Sequence, residues 1–284
     1  MLPATHDCPP TLNDQQVLDF CRDGYLVLPG VVPEVINRRT VEFLEHCNGP
    51  QPDQILAEDW FVEAVLKNPL AGGAVRSLLG AHFRLPGMMA NHRNTCPAPA
   101  QNWHRDGGSV YHRRLDYLQV FYYPTDTPEE MGPTEVVPGS HFVRSKANYM
   151  THYDHIRHAV RTAAPAGSIF LTVYSIWHRR SKSTGSGVRN LLKYNYCRTA
   201  PPCRDWLADP TFDFSWIRLS AGRPPFEQFM DGIAAAELFT WLCGLEKEYH
   251  FQGGQCWPVN ALNRAPHTQE GLPPALWPQP AAGR

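Results

Sequence analysis

Charge is scarce in this chain of 284 residues: Asp, Glu, Lys and Arg make up 19% of it and nearly cancel, to a net charge of -1. A field so weak and balanced gives no basis for binding nucleic acid or an anionic membrane, and neither is expected as a partner. No apolar run is long enough to span a bilayer, and the opening MLPATHDCPP lacks the basic and apolar stretches of a signal peptide. The eight cysteines include no CxxC pair, which removes the usual zinc and redox motifs and leaves thiols suited to a reducing compartment. A soluble, cytoplasmic protein is the expectation. There is no internal repeat. What is plentiful is turn chemistry, with 27 prolines and 21 glycines beside 43% hydrophobic residues. That balance suits a barrel or sandwich better than a helical bundle, and the length suits one domain over 1–284.

Along the chain, Asn13 is placed to cap a helix over 14–23, with Val17, Leu18, Phe20 and Cys21 as its apolar face and Gly24 as its stop. A short strand over 25–28 follows, then a second helix with Pro33 in its first turn. This opening, 13–48, is predicted to lie outside the β core. From about 83 to 198 the pattern changes to strands separated by turns: 88–92, 117–123, 135–137, 169–174 and a single run over 188–196 after a Gly/Ser-rich loop. The His-rich stretch 145–161 reads as an insertion. Beyond 198 a helix is expected around 231–248, and the last twenty residues, rich in Pro and Ala, read as extended.

Two H-x-D pairs stand out, His104/Asp106 and His152/Asp154. In a strand, residues i and i+2 share a face, so either pair can offer two metal ligands. With 13 histidines, one accidental pair is unsurprising. Context separates them: the first lies between Trp103 and Gly107-Gly108, just before the strongest strand, and the second sits in the polar insertion and reads as solvated surface. A third ligand must come from elsewhere, and His178, read as closing an apolar strand behind Trp177, is the candidate; the alternative is a core or surface histidine. Two imidazoles and one carboxylate would leave coordination positions open on a ferrous ion, as dioxygen chemistry needs. Arg189 opens the next run. On a buried β face it needs a carboxylate, supplied either by a bound dicarboxylic acid or by an internal Asp or Glu.

Read together, Asp23 to Leu28, WHRDGG (103–108), GPTEVVPGSH (132–141), PAGSIF (165–170) and WHRRS (177–181) running on to Arg189 resemble the phytanoyl-CoA dioxygenase family of iron- and 2-oxoglutarate-dependent oxygenases. The likeness covers roughly residues 15–200. It implies a mainly β fold with flanking helices, a double-stranded β-helix of the jelly-roll, cupin-like kind. It further implies His104, Asp106 and His178 as ligands of Fe(II), and Arg189 as the group that binds the distal carboxylate of 2-oxoglutarate, with dioxygen as co-substrate. Thr134 and Asn91 are secondary candidates for holding the co-substrate, and His141 is expected to stabilise the PGSH turn. The implied activity is oxidation of a C–H bond in a small molecule, chiefly hydroxylation, with release of succinate and carbon dioxide; desaturation, epoxidation, cyclisation or demethylation are other outcomes of the same chemistry, and a non-catalytic metal-binding barrel is a different one. Asp106 is a carboxylate where halogenating relatives carry a small residue. The chain departs from the family at Arg179-Arg180, where small residues are common. With Arg113, Arg114 and Lys182, these two are candidates to line a mouth for an anionic substrate, the alternative being charges that simply face water; the substrate class read is a small soluble metabolite of natural-product biosynthesis.

Overall fold

A computed structural model describes residues 4–47, 49–109, 113–212, 225–245 and 274–276 of the chain. In chain order the strands are β1 (Thr5–His6), β2 (Tyr25–Leu28), β3 (Phe83–Arg84), β4 (Ala90–Asn91), β5 (Asn94–Ala98), β6 (Trp103–His104) and β7 (Tyr117–Tyr123). They continue as β8 (Thr134–Val136), β9 (Tyr149–Met150), β10 (Val160–Arg161), β11 (Ser168–Val173), β12 (His178–Arg180), β13 (Ser183–Arg189) and β14 (Leu192–Cys197). The helices are α1 (Asp14–Asp23), α2 (Glu34–Glu45), α3 (Asp59–Phe61), α4 (Pro69–Leu79) and α5 (Pro225–Leu242). The larger sheet has the order β1-β3-β14-β7-β11-β2, with β4 attached to β14; the smaller has the order β10-β8-β12-β6-β9, and β13 pairs with β5 in a separate ribbon. All these pairs are antiparallel. This is the expected jelly roll with flanking helices.

Strand β7 shows how the layers form. Leu118, Val120 and Tyr122 join the large core beneath the helices, whereas Phe121 and Tyr123 join Phe170 and Leu191 inside the roll. Both faces are therefore covered, which is why the strand reads as a nearly continuous apolar run instead of an alternation. Gln119 is the polar interruption on the inner face, and it is fully buried.

Helix α1 begins as expected. The Asn13 side chain accepts from the Gln16 amide at 3.0 Å, and Gln16 Oε1 accepts from the Asn13 amide at 3.0 Å, a reciprocal cap that satisfies two otherwise orphaned donors. Gly24 ends the helix at φ +79°, a conformation that favours glycine. A Cβ there would sit 2.4 Å from His141 Nδ1, so glycine is required twice over. His141 Nε2 bonds the Cys21 carbonyl at 3.0 Å, so this histidine fastens the PGSH turn to α1 rather than bracing the turn alone. Past the roll, Asp14 is buried and accepts from Arg204, Trp206 and the Asp209 amide. These bonds tie the segment after 198 onto α1, on which α5 also packs.

Several sequence expectations shift. The strand over 25–28 does not lie outside the β core: β2 pairs with β11 at the edge of the larger sheet, because its apolar residues complete the layer under α1. The run 188–196 is two strands in different sheets, broken at Asn190 and Leu191, and the Gly/Ser-rich stretch before it is itself part of β13. Pro33 caps α2 from outside instead of entering its first turn. The stretch 145–161 contributes β9 and β10, the two edges of the smaller sheet. Helix α5 starts earlier than expected, and the extended tail lies outside the described residues except for a short 3-10 turn at Pro274–Leu276. Among the described residues no helix is long and apolar enough to cross a membrane.

Candidate active site

His178 opens β12, rather than closing the strand before it, and sits directly opposite His104 on β6. That register brings the two rings to 4.5 Å between centroids. Asp106 lies two residues on, just past the end of β6, in a turn closed by bonds from Ser109 to its carbonyl. One atom from each of His104, Asp106 and His178 lies within 4.8 Å of the others. Nε2 of His104 is 4.0 Å from Asp106 Oδ1, and Nε2 of His178 is 3.8 Å from Oδ2.

The two imidazoles are oriented in the same way. Nδ1 of His104 is 2.9 Å from the Asn102 carbonyl, and Nδ1 of His178 is 3.0 Å from the Ile176 carbonyl. A carbonyl accepts only, so each Nδ1 carries the proton and each Nε2 presents a lone pair toward the aspartate; this is how metal-binding histidines are usually held. Burial, then the charges of His104 and Lys193, outweigh Asp106 and lower the His178 pKa to about 4, so the ring is neutral at pH 7. Burial alone would raise Asp106. The charges of His178 and Lys193 and the hydrogen bonds from Lys193 and Gln119 more than offset it, holding the carboxyl at about 2. Lys193 on β14 and Gln119 on β7 both donate to Asp106 Oδ2. The donor set, two imidazoles and one ionised carboxylate, fits a divalent iron ion.

Two residues along the inner face from His178 and Val136 lies a second polar group. Arg189, at 1% exposure, donates from Nη2 to Thr134 Oγ1 at 3.1 Å and to the Tyr123 hydroxyl at 3.3 Å. Tyr123 also accepts from the Thr134 amide at 2.9 Å. Among the described residues no carboxylate pairs with Arg189, and its buried Nε has no acceptor. The ion pair with an internal Asp or Glu, one of the two sequence readings, is therefore absent from the described residues. Asn91 is differently placed: its amide donates to Asn190 Oδ1 at 3.0 Å, and its oxygen accepts from the Leu191 amide at 3.3 Å. Its side chain thus bridges the break between β13 and β14. The other H-x-D pair, His152/Asp154, is exposed, as read from its polar context.

The five cations expected at a mouth do not act together. Arg113 pairs with Glu237 on α5. Arg179 is buried on the outer face of the smaller sheet, 2.5 Å from Glu135 and stacked over Trp103. Lys182 is exposed, as is Arg114, whereas Arg180 faces inward. Sequence reasoning missed Gln119, Tyr123 and Lys193. The first carried a signal, a lone amide within an apolar strand; Lys193 alternates in step with Arg189 and Leu191 and so shares their inner face, but its reach to Asp106 was not readable. Arg105 was also missed. It turns outward to the Ser145 and Ala147 carbonyls at 2.8 and 3.2 Å and so anchors the His-rich stretch, whose Tyr149 stacks on His104.

A family model described as phytanoyl-CoA dioxygenase (PhyH) matches residues 53–190. The matched stretch, just under half of the chain, is similar to the phytanoyl-CoA dioxygenase family, and the match supports an oxidoreductase of the dioxygenase type. The match contains the three metal-ligand candidates and Arg189, and leaves out α1, β2 and β14. Solved structures of similar fold include apo HygX from Streptomyces hygroscopicus, 20% identical with a TM-score of 0.54 over 67% of this chain and 88% of that one. The epimerase SnoN, in complex with Fe3+, alpha ketoglutarate and nogalamycin RO, is 16% identical, with a TM-score of 0.53 over 65% of this chain and 83% of its own. The carbocyclase SnoK from nogalamycin biosynthesis is 19% identical, with a TM-score of 0.51 over 70% and 91%. At such identities the likeness is one of fold. No curated protein matches the sequence.

Proposed function

We propose that the protein is an Fe(II)- and 2-oxoglutarate-dependent dioxygenase that hydroxylates a C–H bond of a small-molecule substrate, with succinate and carbon dioxide as co-products. One observation carries this reading: His104, Asp106 and His178 converge with both Nε2 atoms turned toward the aspartate, while Arg189 waits on the same inner face with no counter-ion among the described residues. When bound, iron and 2-oxoglutarate supply the oxidising power, coupling use of dioxygen to decarboxylation of the keto acid. His104, Asp106 and His178 would hold the ion, and Arg189, with Thr134 and Tyr123 beside it, would take the far carboxylate in two-pronged fashion. Lys193 and Gln119 keep Asp106 ionised and aimed. Phe121, Phe170 and Leu191 line the interior and exclude water from it. Asn91 is the weaker candidate for co-substrate contact, since both ends of its amide are engaged.

For the substrate, HygX has been solved with nickel, 2-oxoglutarate and hygromycin B bound, and SnoN with a nogalamycin compound. These support a soluble metabolite of natural-product biosynthesis as the substrate class. An anionic substrate draws no support from Arg113 and Arg179, whose charges are already paired.

The test is conversion of 2-oxoglutarate to succinate by the iron-loaded protein, followed with and without dioxygen. Wild-type protein is expected to form succinate only with both iron and dioxygen. Asp106→Asn, which keeps the shape of the side chain, should lose tight iron binding and turnover together. Wild-type turnover in that variant would remove the triad.

A further inference from the structure

Arg180 closes β12 two residues after His178, so both side chains point to the inner face. Its partner across the strand pair is Thr134 on β8, and Thr134 Oγ1 already accepts from Arg189. The two guanidinium groups thus flank one threonine, in the row of residues beyond the metal-ligand candidates. Nε and Nη1 of Arg180 and Nε of Arg189 are buried with no acceptor among the described residues. Buried donors without partners are rare in native proteins and call for a ligand or another cause. The neighbouring Arg179 shows the contrast, since it faces outward and is paired with Glu135.

We propose that Arg180 is a second arm of the co-substrate clamp, so that the far carboxylate of 2-oxoglutarate is held between Arg180 and Arg189 across Thr134. The assignment rests on the 2-oxoglutarate reading above. A substrate anion fits Arg180 less well: along β12 it lies on the Thr134 side of His178, in the row that Arg189 already occupies. Two cations facing one carboxylate also account for the departure from small residues at this position: the end of the pocket selects strongly for a dianionic keto acid.

The experiment uses the full chain loaded with Mn(II), without dioxygen, and measures by calorimetry the binding of two acids. One is 2-oxoglutarate; the other is 2-oxopentanoate, which has the same keto acid head and a methyl group in place of the far carboxylate. Arg180→Met is expected to weaken 2-oxoglutarate by about 10- to 100-fold, the loss of one charge-assisted contact, and to leave 2-oxopentanoate unchanged. Arg180→Lys, which keeps the charge but not the fork, should recover part of the 2-oxoglutarate affinity. Metal-free Arg180→Met should melt no lower than wild type, because no partner among the described residues is lost. Equal affinity of wild type and Arg180→Met for 2-oxoglutarate overturns the proposal, and so does an equal loss for both acids, which marks a purely structural role. A wild-type protein that binds neither acid sinks the 2-oxoglutarate reading itself, and the clamp with it.

Discussion

Replacing Arg189 by leucine should separate stability from ligand affinity. The side chain is 1% exposed, and its partners are the neutral hydroxyls of Tyr123 and Thr134. A buried ion pair broken on one side costs about 3–5 kcal/mol because a charge is left behind. Here no carboxylate among the described residues would be stranded, and Tyr123 keeps its bond from the Thr134 amide. The variant without ligand should therefore melt at the wild-type temperature or above it. Binding should move the other way. Two charge-assisted hydrogen bonds to a carboxylate, at about 1.5–3 kcal/mol each, amount to roughly 3–6 kcal/mol, or about 100- to 10,000-fold in the 2-oxoglutarate dissociation constant. At a hundredfold excess over its dissociation constant the ligand adds about 2.7 kcal/mol to wild-type stability, and the variant should lose that gain at the same concentration. Thermal unfolding of the Mn(II)-loaded protein with and without 2-oxoglutarate reads both effects. A variant that retains wild-type affinity, or whose ligand-free form falls by the amount typical of a broken buried pair, would refute the reasoning.

Glu135→Ala should destabilise the fold by about 3–5 kcal/mol in urea unfolding, because Arg179 would lose its close partner while buried and keep only the exposed Asp154 carboxylate 3.9 Å away; a loss below about 1 kcal/mol would show that Asp154 or water takes over. Acid should weaken the join between α1 and the PGSH turn through His141, whose pKa burial lowers to about 4. Since its folded value lies below the ordinary 6.5, the unfolded chain binds the extra proton first. Stability is then complete above about pH 6.5 and falls by about 3 kcal/mol as pH drops toward 4. His141→Gln should flatten that part of the stability–pH curve, and an unchanged slope would place the acid sensitivity elsewhere.

The parts of the site that could be read in the sequence were those whose chemistry is local. Each imidazole is oriented by a carbonyl two residues earlier, from Asn102 and Ile176, so the motif WHRD and the approach to His178 carry their own geometry. The α1 cap and the Gly24 stop were legible for the same reason, since capping depends on residues three or four apart. What could not be read were the contacts made across sheets. Gln119 and Lys193 reach Asp106 only because β7 and β14 are neighbours that face β6, and adjacency of strands is not written in either strand. The placement of β2 in the larger sheet failed on the same ground. Its four half-buried residues look like any short linker strand until β11 supplies the pairing.

Register is then the quantity on which the chemistry depends, and the outer face of the smaller sheet accounts for how it is set. Side chains alternate along a strand, so slipping β12 by one residue against β8 would turn Arg179 inward and send His178 and Arg180 outward. In the observed register Arg179 meets Glu135, which also accepts from Arg161 on β10 at 2.6 Å. A slip would separate Arg179 from Glu135 and leave both charges buried without each other. The cost of stranding either one exceeds what a single apolar side chain gains by burial. The Arg161–Glu135–Arg179 set, although it touches neither the metal-ligand candidates nor Arg189, thereby holds His178 opposite His104 and Arg180 opposite Thr134. Glu135→Ala should for this reason weaken metal binding more than its distance from the triad suggests, whereas Glu135→Gln, which can still accept from both arginines, should weaken it less. Equal metal affinity in the two variants, measured in protein that remains folded, would mean that the strand pairing of β6 and β12 sets the register without help from the charges behind it.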